Sequence, residues 1–98
     1  MDEWIFSVAD PAQHQLARVH FFSVTKREPQ GEIEFLITVK EYARPKEAYL
    51  RFFAQTDKQT NQKTIPFTPS GWGDTLLKAL AECVEAVNRF PYEGPPPR

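Results

Sequence analysis

Cysteine is almost missing from this chain. Cys83 is the only one, so no intramolecular disulfide and no cysteine-built zinc site are available. Histidine is nearly as scarce: His14 and His20 stand on different segments, with no thiol or carboxylate at ligand spacing, and no metal site is expected. The four glycines are too few for a phosphate-cradling loop, and Ser7, Ser23 and Ser70 lack the flanking pattern of a nucleophile elbow. These gaps remove the usual supports of catalysis, so a non-enzymatic protein without a cofactor is expected. Long apolar runs are missing too. No stretch of about 18 apolar residues exists to span a membrane. The N-terminus is acidic and lacks the apolar run of a signal peptide, which makes the cytoplasm the expected compartment.

What the chain does have is aromatic side chains, 13% of its 98 residues, eight of them Phe. A chain this long forms one domain and buries a bit more than ~60% of its unfolded surface, so some of these rings are left for an exposed face or an interface. The net charge of −1 excludes a strongly basic, histone-like protein, yet the charge is unevenly spread. Residues 1–17 carry three acidic side chains and no Lys or Arg, whereas residues 18–63 carry nine basic against six acidic. The strand-forming region is therefore the basic part, and charge distribution speaks to a binding face more than the total does.

Alternation predicts the strands. Trp4, Phe6 and Val8 share one side of a short strand over 4–8, which Asp10-Pro11 ends. A second strand runs over 17–25, with Val19 and Phe21 opposed to Arg18, His20, Phe22 and Val24. Pro29 and Gly31 supply a hairpin turn. The strand over 32–42 alternates most regularly, with Ile33, Phe35, Ile37 and Val39 on one face and Leu36, Thr38, Lys40 and Tyr42 on the other. A fourth strand is expected over 48–55, with Tyr49, Arg51 and Phe53 on one side. The polar run from Thr56 to Gln62 reads as an exposed, mobile loop, and residues 63–67 as a short edge strand containing Pro66.

One helix is expected, over about 69–90. Thr68 is placed to cap it, Pro69 fits its first turn, and Trp72, Leu76, Leu80, Cys83 and Val87 form its apolar stripe. Cys83 on that stripe reads as a small buried hydrophobe. Pro91 stops the helix, and 91–98 reads as a Pro-rich flexible tail after a single sheet-plus-helix domain over 1–90. The expected class is α+β: an antiparallel curved β-sheet of four to five strands followed by one long C-terminal helix.

Rings interleaved with cations suit single-stranded nucleic acid, whose bases stack on the rings while the cations meet phosphates. The candidate set is Arg18, Lys26, Arg27, Lys40, Tyr42, Tyr49, Arg51, Phe53, Lys58 and Lys63. The same residues also fit a generic core flanked by solvated charges, or a protein interface.

Three segments carry a resemblance. Leu36-Ile37-Thr38-Val39-Lys40-Glu41-Tyr42, then Lys63-Thr64-Ile65-Pro66-Phe67-Thr68-Pro69 with Trp72, then the amphipathic run from Leu76 to Val87 follow one another in order. Together they resemble the single-stranded-DNA-binding transcriptional regulator fold, shared by the coactivator positive cofactor four and the Whirly and Pur-type proteins. The resemblance covers about half the chain. It implies a non-enzymatic regulator of transcription that binds single strands, DNA more than RNA, as a homodimer. Lys40 and Lys63 would touch the backbone, and Trp72, Leu76, Leu80 and Val87 would form the dimer or core helix. Where the family follows the Tyr with a Trp, this chain has Ala43. The alternative is a protein-interaction or structural module that keeps the fold without the nucleic acid.

Overall fold

The computed structural model describes residues 16–43, 45–62, 65–92 and 94. The expected strand at 4–8, together with Arg44, Lys63 and most of the tail beyond Tyr92, lies outside the described residues. The chain runs β1 (Ala17–Glu28), β2 (Gly31–Tyr42), a 3-10 turn (Ala48–Leu50), β3 (Phe52–Thr56), β4 (Thr60–Gln62), β5 (Ile65–Phe67), β6 (Ser70–Gly73) and α1 (Leu76–Arg89). Its class is the α+β one read from the sequence. Among the described residues, β1-β2-β3-β6 form an antiparallel four-stranded sheet, β4-β5 a small second one, and a single C-terminal helix follows. No helix is long and apolar enough to cross a membrane among the described residues.

The β1–β2 hairpin is the long element, twelve residues in each strand, paired without interruption from Ala17↔Tyr42 to Glu28↔Gly31. Its two-residue connection is tight because Gly31 takes a φ of 133°, a conformation that side-chain-bearing residues rarely adopt. Strict alternation sends Ile33, Phe35, Ile37 and Val39 to the side where α1 lies, all of them buried. The helix answers with Ala79, Cys83, Ala86 and Val87, and half-buried Leu76, Leu80 and Val84 widen the contact. Burying side chains of this size contributes roughly 1.5–3 kcal/mol each. Cys83 is the small core residue expected. Burial, and secondarily the neighbouring Glu82 charge, push its thiol up to about 11, and its Sγ donates to the Pro69 carbonyl at 3.6 Å.

The helix starts later than the sequence suggests. Pro69-Ser70-Gly71-Trp72-Gly73 is extended, not helical: Ser70–Gly73 pairs with β3 as Phe53↔Trp72 and Ala54↔Gly71. Trp72 is therefore a sheet residue and not part of the helix stripe. The cap is Thr75, whose Oγ1 accepts from the Lys78 N–H at 3.1 Å. Gly71 makes the packing possible: a Cβ there would lie 2.5 Å from the Ala79 carbonyl oxygen and 2.8 Å from the Cys83 nitrogen. The helix backbone rests directly on β6.

Two further segments differ from expectation. Tyr49 and Leu50 belong to the 3-10 turn, so the strand expected over 48–55 begins only at Phe52. Within the polar run, Thr60–Gln62 is a strand paired with Ile65–Phe67, and Thr56 and Thr60 are buried. The chain after the helix is held at Tyr92, which is only 8% exposed and sets its ring edge-on against Phe35 at 5.9 Å. The Tyr92 N–H donates to Glu28 Oε1 at 3.1 Å, and the Asn61 N–H donates to the Pro91 carbonyl at 2.9 Å. The expected flexible tail thus begins with an anchored aromatic.

Candidate functional site

Antiparallel partners share a face, so the register sorts every side chain of the main sheet. The helix-side face takes Arg18, His20, Phe22, Val24, Lys26 and Glu28 from β1, opposite Glu41, Val39, Ile37, Phe35, Ile33 and Gly31. The open face is built in rows. One row reads Val19–Lys40–Phe53–Trp72, and the next reads Phe21–Thr38–Gln55–Ser70. Tyr42 stands on the same face, opposite Ala17.

Three rings cluster at the β3–β6 side. Phe53 and Trp72 lie 4.5 Å apart between centroids, and Tyr42 stacks on Trp72 at 6.3 Å with their planes 19° apart. Trp72 remains 39% exposed, and Tyr49, 62% exposed, lines a shallow hollow with it. The Trp72 main chain is fixed from behind, its N–H donating to Glu82 Oε1 of the helix at 3.3 Å. On the β1–β2 side the open face mixes Val19, Leu36 and Phe21, the last 77% exposed, with Ser23, Thr25 and Glu34.

The structure divides the candidate cations. Arg18 lies on the helix side, where its guanidinium donates to Glu41 at 3.0 Å and His20 Nε2 meets the same carboxylate oxygen. Lys26, also on the helix side, pairs with Glu28 at 2.7 Å and donates to the Phe90 carbonyl. Burial alone raises the Glu28 carboxyl, but Lys26 and the Tyr92 N–H outweigh it and hold the group below its ordinary value of 4.5. The second-strand trio Arg18, His20 and Phe22 is thus part of the helix-side face and not of the open one. Arg27 is on the open face at the hairpin end, paired with Glu32 at 3.3 Å. Lys58 is in the loop after β3, paired with Asp57 at 3.1 Å. Arg51 directly precedes β3, and its carbonyl accepts from the Tyr42 N–H. Lys63 lies outside the described residues. Lys40 stands opposite Phe53 in the row that holds Trp72, and no carboxylate among the described residues pairs with it or with Arg51.

Of the ten candidates, Lys40, Tyr42 and Phe53 therefore come together, with Tyr49 beside them. Trp72 joins them from β6, although its spacing with Leu76 and Leu80 predicts a place on the helix. The signal that places it was there: glycines at 71 and 73 are poor helix residues, and a small-large-small alternation suits a strand. Gln55 was also missed. It lies two residues beyond Phe53 on the same face, beside a hollow of about 240 Å³ that Lys40, Phe53 and Thr38 also line. No protein-family model matches the chain, and no curated protein or solved structure does either.

Proposed function

We propose that the open face of the main sheet binds single-stranded nucleic acid, DNA before RNA, without catalysis, in a cytoplasmic regulator of transcription. The observation that carries this reading is Lys40. Its ammonium has no carboxylate partner among the described residues, on a face where Phe53, Trp72 and Tyr42 are clustered. A base stacked on an exposed ring contributes about 1–3 kcal/mol, and a nearby ammonium supplies the phosphate contact. One cation with two or three rings is a small site, so affinity in the micromolar range is expected, with paired strands binding worse because their base faces are hidden.

Titration of a labelled single strand at two salt concentrations tests this. Lys40→Ala weakens binding and lowers the log–log salt slope by about 0.7, one phosphate contact. Phe53→Leu weakens binding and leaves the slope unchanged, because stacking releases no ions. A folded sample that binds no single strand at low salt removes the reading.

A second reading rests on a different part of the same face. Val19, Phe21 and Leu36 are exposed together on the β1–β2 half, and Arg27 there is already matched by Glu32. Such a patch suits a protein partner, a second copy of this chain included, and the homodimer implied by the resemblance belongs with it. Sedimentation at micromolar concentration separates the two: a dimer that Phe21→Ser dissolves, with no binding of single strands, favours the interaction module.

A further inference from the structure

Beside the ring cluster the chain forms a second, larger concavity. The cleft, about 740 Å³, lies between the end of β3, the loop after it and the β4–β5 sheet, with Gln55, Asp57, Gln59, Asn61, Thr68 and Tyr92 on its walls. Gln55 and Asp57 also line the hollow that holds Lys40 and Phe53, so the two concavities are neighbours sharing a wall. We propose, building on the single-strand reading above, that this cleft receives one base turned off the ring platform. The side-chain amides of Gln55 and Gln59 read its edge, with adenine preferred.

Three observations carry this. The first is charge. The charged side chains on the described wall are Asp57 and Lys58, and they pair: Asp57 Oδ1 accepts from the Leu36 N–H at 2.9 Å and Oδ2 from Lys58 at 3.1 Å. The cleft therefore presents a neutral polar lining, which suits an uncharged base better than a phosphate. The second is the amide inventory. The Gln55 side-chain amide makes no hydrogen bond among the described residues, so its donor and acceptor are both open. Gln59 spends its Nε2 on Thr68 Oγ1 at 3.3 Å and keeps its oxygen. An amide offers a donor and an acceptor side by side, the arrangement that pairs bidentately with adenine. The third is a fixed floor. Thr60 bridges to Tyr92 across the bottom, Tyr92 is bonded to Glu28, and Asn61 to Pro91, so the cleft is largely formed before a ligand arrives. Two residues along β3 separate Phe53 from Gln55, about 7 Å, so successive nucleotides of one strand meet ring and amide together.

The test uses labelled homopolymers of deoxyadenosine, deoxythymidine and deoxycytidine, and free deoxyadenosine followed through the glutamine side-chain amide signals by NMR. The full chain is expected to bind the adenine polymer about tenfold tighter than the other two, the scale of one bidentate pair. In the double variant Gln55→Leu, Gln59→Leu that preference disappears, while binding of the pyrimidine polymers stays within about twofold. Both side chains are exposed, and an unchanged thermal midpoint confirms the fold. The single variant Gln55→Glu, which keeps shape but loses the donor, weakens the adenine polymer selectively. Equal binding of all three polymers, or a preference that survives the double variant, overturns the cleft and leaves the platform standing. Deoxyadenosine shifting the Gln55 and Gln59 amides in a protein that binds no polymer overturns the platform and leaves the cleft as a nucleoside site. Neither response removes both.

Discussion

The two faces of the main sheet are made by the same four strands and treat charge in opposite ways. On the helix side of the sheet, among the described residues, Arg18 pairs with Glu41 and Lys26 with Glu28, and His20 Nε2 meets the same Glu41 oxygen. On the open side the described residues form one pair, at the hairpin end, Arg27 with Glu32, and Lys40 has no carboxylate among them. Burial explains the pairing of Lys26 with Glu28, whose side chains are 13% and 6% exposed, whereas Arg18 stays 44% exposed beside the buried Glu41. A charge taken from water without a partner costs several kcal/mol, so packing a helix over it forces pairing. No such pressure acts on the open face, where Lys40 keeps its water. The inner-face ion pairs therefore belong to folding, whereas Lys40, beside half-buried Phe53 and Tyr42 and exposed Trp72, has no carboxylate to answer among the described residues.

The comparison breaks most visibly at Phe35. Phe35→Ala empties a fully buried site between β2, Val87 and Tyr92 and should lower stability by about 3–5 kcal/mol in urea unfolding. A loss under about 1 kcal/mol would mean that the inner face is not the tightly packed one. Gly71→Ala follows, at about 1–3 kcal/mol, since its methyl meets helix backbone and not a yielding side chain. Next is acid. Glu28 has its folded pKa below 4.5, so the stability it contributes is complete above that value and drains away as the pH falls through the folded one. Glu28→Gln should cost about 1 kcal/mol at neutral pH and flatten the acid limb of the stability curve. A matched pair sharpens the contrast: Lys26→Ala should lower stability and leave the salt slope of strand binding alone, and Lys40→Ala should do the reverse, with stability within about 0.5 kcal/mol of the parent. The smallest effect is Phe21→Ser, within about 0.5 kcal/mol in a monomer, because the ring is mostly in water already.

The parts legible in the sequence were those whose signals are local. Twelve-residue alternation and a Pro-x-Gly turn suffice for the β1–β2 hairpin, and parity within β2 is enough to put Lys40 and Tyr42 on one face. Parity could not say which face of β1 the helix would cover, so Arg18 and Lys26 were grouped with residues on the far side of the sheet. The helix start was misread because Thr68-Pro69 imitates a cap, while the strand that replaces it, Ser70–Gly73, exists only through its pairing with β3. The β4 strand has no apolar alternation to betray it. Its partners are Ile65–Phe67 and the anchored Tyr92, the latter 32 positions after Thr60 in sequence and bridged to it in space. Gln55 was passed over because a single polar residue among aromatics carries no pattern, and its neighbours in the cleft come from three separate segments.

Trp72 has one further consequence, an optical one. Its amide is tied to Glu82 of the helix and its ring stands on the open face against Phe53. In a Trp4→Phe background it is the sole indole of the chain. Release of the helix from β6 wets the ring and moves its emission to the red, whereas a base laid on the exposed ring quenches it at unchanged wavelength. One chromophore thus separates unfolding from occupancy in a single titration, without any label on the protein or the strand.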